Sequence, residues 1–228
     1  MSEDKKYGKW FICEGTDGVG KSTVSHLIAD WLNSMGIATL YTRHPGSTNI
    51  GAELRKVIKE STAKIDARTE ALIMAADNSA FLTQILEPAL ERGDWVIADR
   101  NNFISSLAYQ TASGCALGDL DAVHAATHSN PPKADILFIF TASREILDQR
   151  KSTRGLAKRD NFEDRGNDYT ARVMEAYNSL KDSPRLLKFI KSDGFVPNVK
   201  IIDASKPLHE VVEAVKSEMM LSINGVKF

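Results

Sequence analysis

The run GTDGVGKS, residues 15–22, constrains this chain more than any other stretch. It fits G-x-x-x-x-G-K-[ST], and it follows the apolar run KWFICE and opens a helical pattern. Glycines let a backbone wrap closely enough for its N–H groups to point at phosphate oxygens, and a helix starting near Lys21 adds its positive end. Gly15, Thr16, Asp17, Gly18, Val19, Gly20, Lys21, Ser22 and Thr23 are therefore expected to cradle a nucleoside triphosphate. Lys21 would reach the β- and γ-phosphates, and the Ser22 hydroxyl would meet Mg²⁺. The competing reading is a chance match in a Gly-containing turn, which the flanking strand and helix patterns disfavour.

Further apolar runs, IATLYTR, DWVIAD, ADILFIFT and NVKIIDA, alternate with helical patterns along the chain. Near-continuous apolar strands separated by helices predict a five-stranded parallel sheet covered on both faces, a three-layer α/β/α arrangement with a lid segment. The helix KSTVSHLIADWLNSMG is expected to place Leu27, Trp31 and Met35 along one face. A long helix is expected from DARTEAL to Gly93, with Pro88 late in it as a source of a kink. No linker composition appears, so residues 1–228 are read as one domain with a lid at about 150–165. In such sheets ligands bind beyond the carboxyl ends of the strands, which directs attention to the segments after Cys13, Tyr41, Ala98 and Phe140.

Composition excludes several classes. A net charge of -1 offers no bulk positive field for nucleic acid or an anionic membrane. Two cysteines, Cys13 and Cys115, make no disulfide framework and no CxxC pair, and Cys13 in an apolar run reads as a small buried hydrophobe. The start MSEDKKYGKW lacks an apolar stretch like that of a signal peptide, and no run is long enough to span a bilayer, so a cytoplasmic location is expected. A GTPase would carry N-K-x-D late in the chain, and none follows the strand ADILFIFT.

Three other stretches carry charge where a second ligand would sit. VIADR ends a strand with Asp99, suited to orient Mg²⁺ or its waters, and Arg100, suited to fork onto a phosphate. YTRHPGSTNIGAELR places Arg43 at a strand end and Arg55 in the next helix. Taken with Arg100, these arginines predict an anion site facing the first, as nucleotide-to-nucleotide phosphoryl transfer requires. LDQRKSTRGLAKRDNFED gathers Arg150, Lys151, Arg154, Lys158 and Arg159. As a charge run this is a solvated face; as a lid it would bring arginine charge to the transferring phosphoryl group.

With these motifs in order, the chain resembles the thymidylate kinase family, P-loop enzymes that phosphorylate dTMP with ATP. The resemblance runs through FICEGTDGVGKST, TRHPGSTNIGAELR, ALIMAADNSAF, EPALERGDWVIADR, SSLAYQ, DNFE and VMEAYNSL. It implies ATP·Mg²⁺ as donor, dTMP as acceptor, dTDP as product and a homodimer built on the long helix near Ala71–Leu90. It implies that Asp17 binds the acceptor's 3′-hydroxyl and helps arrange the phosphates. Arg43, Arg55 and Arg100 would surround the acceptor's phosphate and base, and Tyr109 would crowd the sugar 2′ position. Ser106 and Gln110 would lie near the base edge, and Ser22 and Asp99 on the metal side. Gly18 stands where one subgroup carries a catalytic arginine, so the lid would supply it from Arg150, Arg154 or Arg159. Lys21, Asp17 and Arg100 complete the expected catalytic set.

The chain departs from the family pattern in three places. His44 replaces an acid, and DRNNFISSLAYQ is one residue longer than usual, which predicts a bulged loop. Met74 and Asn78 stand where the family has Phe and Arg, at the same i, i+4 spacing. Methionine can cover a ring, and asparagine offers both donor and acceptor. The alternative to dTMP is therefore another pyrimidine deoxynucleotide, or a 5-modified one such as 5-hydroxymethyl-dUMP. A regulatory ATPase and a silent nucleotide-binding protein are the rivals from other classes.

Overall fold

The computed structural model describes residues 7–128, 131–153, 165–180 and 198–223. Arg154, Lys158 and Arg159 of the expected lid lie outside them. Five strands form one parallel sheet in the order β2-β3-β1-β4-β5. They are β1 (Trp10–Gly15), β2 (Thr39–Arg43), β3 (Trp95–Asp99), β4 (Ile136–Thr141) and β5 (Val199–Asp203). Helices connect them: α1 (Lys21–Ser34), α2 (Asn49–Glu60), α3 (Ala67–Phe81), α4 (Glu87–Arg92), α5 (Asn102–Ala112), α6 (Leu117–Ala125), α7 (Arg144–Thr153), α8 (Asn167–Leu180) and α9 (Leu208–Ile223).

The central strands are apolar throughout because both faces are covered. Trp10 and Ile12 of β1 join Val96, Ala98, Leu137 and Ile139 in a core with α3, α5 and α8. Phe11 and Cys13 point the other way, joining Trp95, Ile97, Phe138 and Phe140 in a core with α1 and α9. Each fully buried side chain of this size contributes about 1.5–3 kcal/mol. Cys13 is in that core as expected, and burial pushes its thiol up to about 12, leaving it inert.

Two expectations need correction here. The face α1 turns to the core carries Val24, Ile28 and Leu32; of the expected stripe, Trp31 packs partly buried against that core, whereas Leu27 and Met35 are exposed. Both stripes have helical spacing; the buried one is set by the strand-to-helix turn that starts α1 at Lys21. The bulge expected before AYQ is also absent. Asn101 caps α5 directly, accepting from the N–H groups of Phe103 and Ile104, and the turn is absorbed by Arg100 at φ 78.

The long helix after Asp66 is interrupted as Pro88 suggested, but ahead of the proline. Residues Leu82–Leu86 form a π-helical turn leading into α4. The wider turn accommodates a residue that lacks an N–H and would crowd the carbonyl four residues back. Gly93 at φ 89 closes α4. Among the described residues, no helix is long and apolar enough to cross a membrane.

Parallel pairing sets Arg43 level with Asp99, and Asp99 level with Cys13, at the carboxyl edge of the sheet. Every segment singled out from the sequence as a ligand-facing strand end opens onto this edge.

Candidate active site

The glycine loop leaves β1 at Gly15, whose φ is 141; a Cβ there would lie 2.4 Å from the Phe140 carbonyl oxygen of β4. Only glycine lets the loop turn off the sheet so close to its neighbour. Lys21 is buried, and its Nζ donates to the Thr16 carbonyl oxygen at 2.8 Å, holding the ammonium over the loop. Burial and the nearby Arg100 charge lower its pKa to about 8, against the pull of Asp17, Asp99 and Glu14.

Ser22 Oγ donates to Asp99 Oδ2 at 2.5 Å, so the loop hydroxyl and the β3 acid meet. The Tyr41 hydroxyl donates to the same oxygen at 3.2 Å, and its ring stacks on His26 with centroids 3.7 Å apart. Arg150 reaches the loop from α7: Nη1 donates to the Val19 carbonyl at 3.1 Å and Nη2 to that of Ala204 at 2.7 Å. It ties α7 to the loop and to the end of β5.

On the other side of Asp17 lies an open cleft. Arg43, Arg55 and Arg100 line it together, joined by Lys59, which the sequence reading did not single out. Four cations face Asp17 there, so the cleft suits an anion. Arg55 Nη1 donates to the Pro45 carbonyl at 2.9 Å. His44, Pro45, Met74, Ser105, Tyr109 and Gln110 form the rest of the wall.

Arg100 joins the loop to the cleft. Nη2 donates to Asp17 Oδ1 at 2.6 Å and to the Tyr109 hydroxyl at 2.9 Å, while Nη1 donates to the Tyr177 hydroxyl at 3.1 Å. The Tyr109 hydroxyl in turn donates to Asp17 Oδ2 at 2.9 Å. Burial alone raises a carboxyl's pKa, but the guanidinium of Arg100 and the charge of Lys21 outweigh it and hold Asp17 well below the usual carboxylate range. Burial pushes the phenols of Tyr109 and Tyr177 well up, so both stay protonated.

Beneath this triad sits Glu14, fully buried at the end of β1. It accepts from the Asn101 N–H at 2.7 Å, Ser105 Oγ at 2.8 Å and the Tyr177 hydroxyl at 2.8 Å, with Arg100 Nη1 at 3.5 Å. A buried carboxylate needs such partners. The partners here are the residues that shape the turn carrying Arg100.

The turn after β2 is pinned in a comparable way. Asp77 of α3 accepts from the Gly46 N–H at 3.0 Å and from Asn102, and lies 3.7 Å from His44 Nδ1. His44 is thus a buried neighbour of an acid rather than an acid itself.

Of the two residues expected near the base edge, Gln110 lines the cleft and Ser106 does not; nor does Asn78, at the position of the family arginine. Ser106 is fully buried against α3, and it is Ser105, one residue earlier, that faces the cleft. Asn78 is buried, whereas Met74, one helical turn earlier, does line it.

A family model described as thymidylate kinase matches residues 13–215. The chain is 32% identical to the thymidylate kinase of Legionella pneumophila over 214 residues, covering 92% of this chain and 93% of that one. It is 32% identical to that of Leifsonia xyli over 93% of this chain and 94% of the relative, and 33% identical to that of Caldicellulosiruptor saccharolyticus over 86% and 96%.

The chain belongs to the thymidylate kinase family.

Membership makes it an ATP-dependent nucleoside monophosphate kinase. For a thymidylate kinase, the residues that sequence reasoning missed are mostly supports: Glu14, Tyr177, Asp77 and Ser105. One signal was available for Glu14, an acid ending an apolar run, since an acid at the end of a buried strand has to be paired. No signal marked Asp77 or Tyr177, whose partners are distant in the chain.

Proposed function

We propose that this kinase transfers the γ-phosphate of ATP to dTMP, giving dTDP and ADP for DNA precursor synthesis. An oxygen of the acceptor phosphate attacks the γ-phosphorus, the bond to the bridging oxygen of ADP breaks, and no covalent enzyme intermediate forms. Catalysis is then placement and charge neutralisation. The observation that carries this reading is the Arg100–Asp17 pair, shared between the triphosphate-type loop and a cleft lined by Arg43, Arg55 and Lys59.

In this reading Lys21 and the loop amides hold the donor phosphates, and Arg43, Arg55 and Arg100 hold the acceptor phosphate. Asp17 receives the sugar 3′-hydroxyl. The Tyr109 ring, fixed through its hydroxyl, closes the space beside the 2′ carbon. Ser22 and Asp99 are adjacent hard oxygen donors, which fits Mg²⁺ held largely by phosphate and water. Bound there, the cation would neutralise charge on the β- and γ-oxygens. Gly18 offers no side chain, so a cation for the transferring group comes from the segment at about 150–165. Arg150 already grips the loop backbone; Arg154 and Arg159 are the other candidates.

The chain is proposed to work as one domain in the cytoplasm and to pair as a homodimer. Leu72 of α3 is 52% exposed, in keeping with a partner on that helix, although most other apolar residues of the run serve the chain's own core. Light scattering reads the oligomeric state.

The test is ADP formation by the full chain with ATP and Mg²⁺, with and without dTMP. Turnover is expected only with dTMP, and Lys21→Ala is expected to lower it by about 10³-fold or more while the far-ultraviolet spectrum stays unchanged. ATP hydrolysis indifferent to dTMP would overturn the assignment.

A further inference from the structure

The helices α3 and α5 pack side by side, and polar side chains run along the seam between them. At one end Gln110 Nε2 donates to Glu70 Oε2 at 3.2 Å; at the other Asn102 donates to Asp77. Asn102, Ser106 and Gln110 are spaced by four and share one face of α5. Ser106 therefore lies between the two cross-links, opposite the part of α3 that carries Met74. Asn78 follows Met74 by one turn.

Four oxygens of this seam are buried without a hydrogen-bond partner among the described residues: Asn78 Oδ1, Asn102 Oδ1, Ser106 Oγ and Gln110 Oε1. Asn78 is 6% exposed and the other three 0%. Packed interiors do not keep several unpaired polar atoms together unless something polar meets them. Three of the four are acceptors only, so the group they require is a donor. Met74 and Gln110 belong both to this seam and to the wall of the acceptor cleft.

We propose that the α3–α5 seam is a polar subsite at the base end of the acceptor cleft, and that it admits a pyrimidine deoxynucleoside monophosphate with a hydroxyl-bearing substituent on ring carbon 5 alongside dTMP. The inference rests on the reading of the cleft as the acceptor site. With the sugar at Asp17 and Tyr109, a pyrimidine presents its far edge, carbons 4 and 5, to Met74 and Gln110. The methyl of thymine brings no donor there, so with dTMP the seam holds water. A hydroxymethyl group carries its own O–H into the same place and takes over the water's bond to Asn78 Oδ1 or Ser106 Oγ.

The experiment compares initial rates of the full chain with dTMP, dUMP and 5-hydroxymethyl-dUMP. The kcat/KM for 5-hydroxymethyl-dUMP is expected within about tenfold of that for dTMP and above that for dUMP. Ser106→Ala removes a single oxygen, and Asn78→Leu replaces the amide; each is expected to lower the hydroxymethyl-to-dTMP ratio by about fivefold or more. The shift in melting temperature on adding each monophosphate without ATP should follow the same order. A wild-type ratio below about one-tenth, or a ratio unmoved by both variants, overturns the subsite. Absence of turnover with dTMP itself would instead remove the acceptor-cleft reading.

Discussion

Arg100 adopts φ 78, a conformation that costs a side-chain-bearing residue on the order of 1 kcal/mol. Its surroundings fix it: the N–H donates to the Cys13 carbonyl at 2.9 Å, and the guanidinium is held by Asp17 and two phenols. The turn throws the guanidinium back over the loop, where Lys21 lies buried with its pKa lowered to about 8. Below that pH the ammonium is charged and ready for phosphate; above it the free protein loses the charge and must take up a proton to bind. ATP affinity is therefore expected to weaken by up to about tenfold per pH unit above pH 8. Calorimetry in buffers of different ionisation heat should show proton uptake on binding there; flat affinity and no uptake through pH 9.5 would contradict the assignment. Lysine and arginine of this site were legible because the glycine pattern and the strand-end DR point at phosphate. Ser105 and Ser106 were not separable. Neighbours on a helix point about 100° apart, and the phase is set by the Asn101 cap, which spacing alone does not reveal.

At the scale of elements, the acceptor cleft depends on how closely α2 lies against α3. Gly51 of α2 makes the approach possible: a Cβ there would sit 2.1 Å from Asp77 Oδ1 and 2.9 Å from Thr48 Oγ1. The same carboxylate oxygen accepts the Gly46 N–H, and Thr48 Oγ1 caps α2 by accepting from the Gly51 N–H. Gly51→Ala is expected to lose about 1–3 kcal/mol in urea unfolding, from overpacking a buried polar contact. It should also raise the KM for dTMP more than that for ATP, because Arg43 and Arg55 flank the displaced turn. Unchanged stability would show that α2 shifts freely. Element existence was readable from periodicity. The core-facing stripe of α1 was not, because two stripes competed and the sheet chose between them.

For the molecule as a whole, the parallel sheet and its two cores followed from the apolar strands, whereas the buried polar connections between distant helices did not. His124 of α6 is a buried polar group of another kind, one that makes no such connection. It is 7% exposed, neither ring nitrogen has a partner among the described residues, and Phe103 packs edge-on at 4.5 Å. Burial lowers its pKa to about 4 from an unfolded value near 6.5. Between these values the unfolded chain binds a proton that the fold refuses, so stability is complete above pH 6.5 and falls as the pH drops towards 4. The loss from this group is about 2 kcal/mol between pH 7 and pH 5. Urea unfolding at the two pH values should show it, and His124→Leu should remove that part of the slope; an equal slope in the variant would refute it.

The Arg100 guanidinium, with Asp17 and Tyr109 around it, stands between the two nucleotides in the proposed complex. A shared contact of this kind obliges reciprocity. Whatever factor the donor contributes to the acceptor's affinity, the acceptor must return to the donor. Neither guest can be tuned by evolution, or by an inhibitor, without retuning the other.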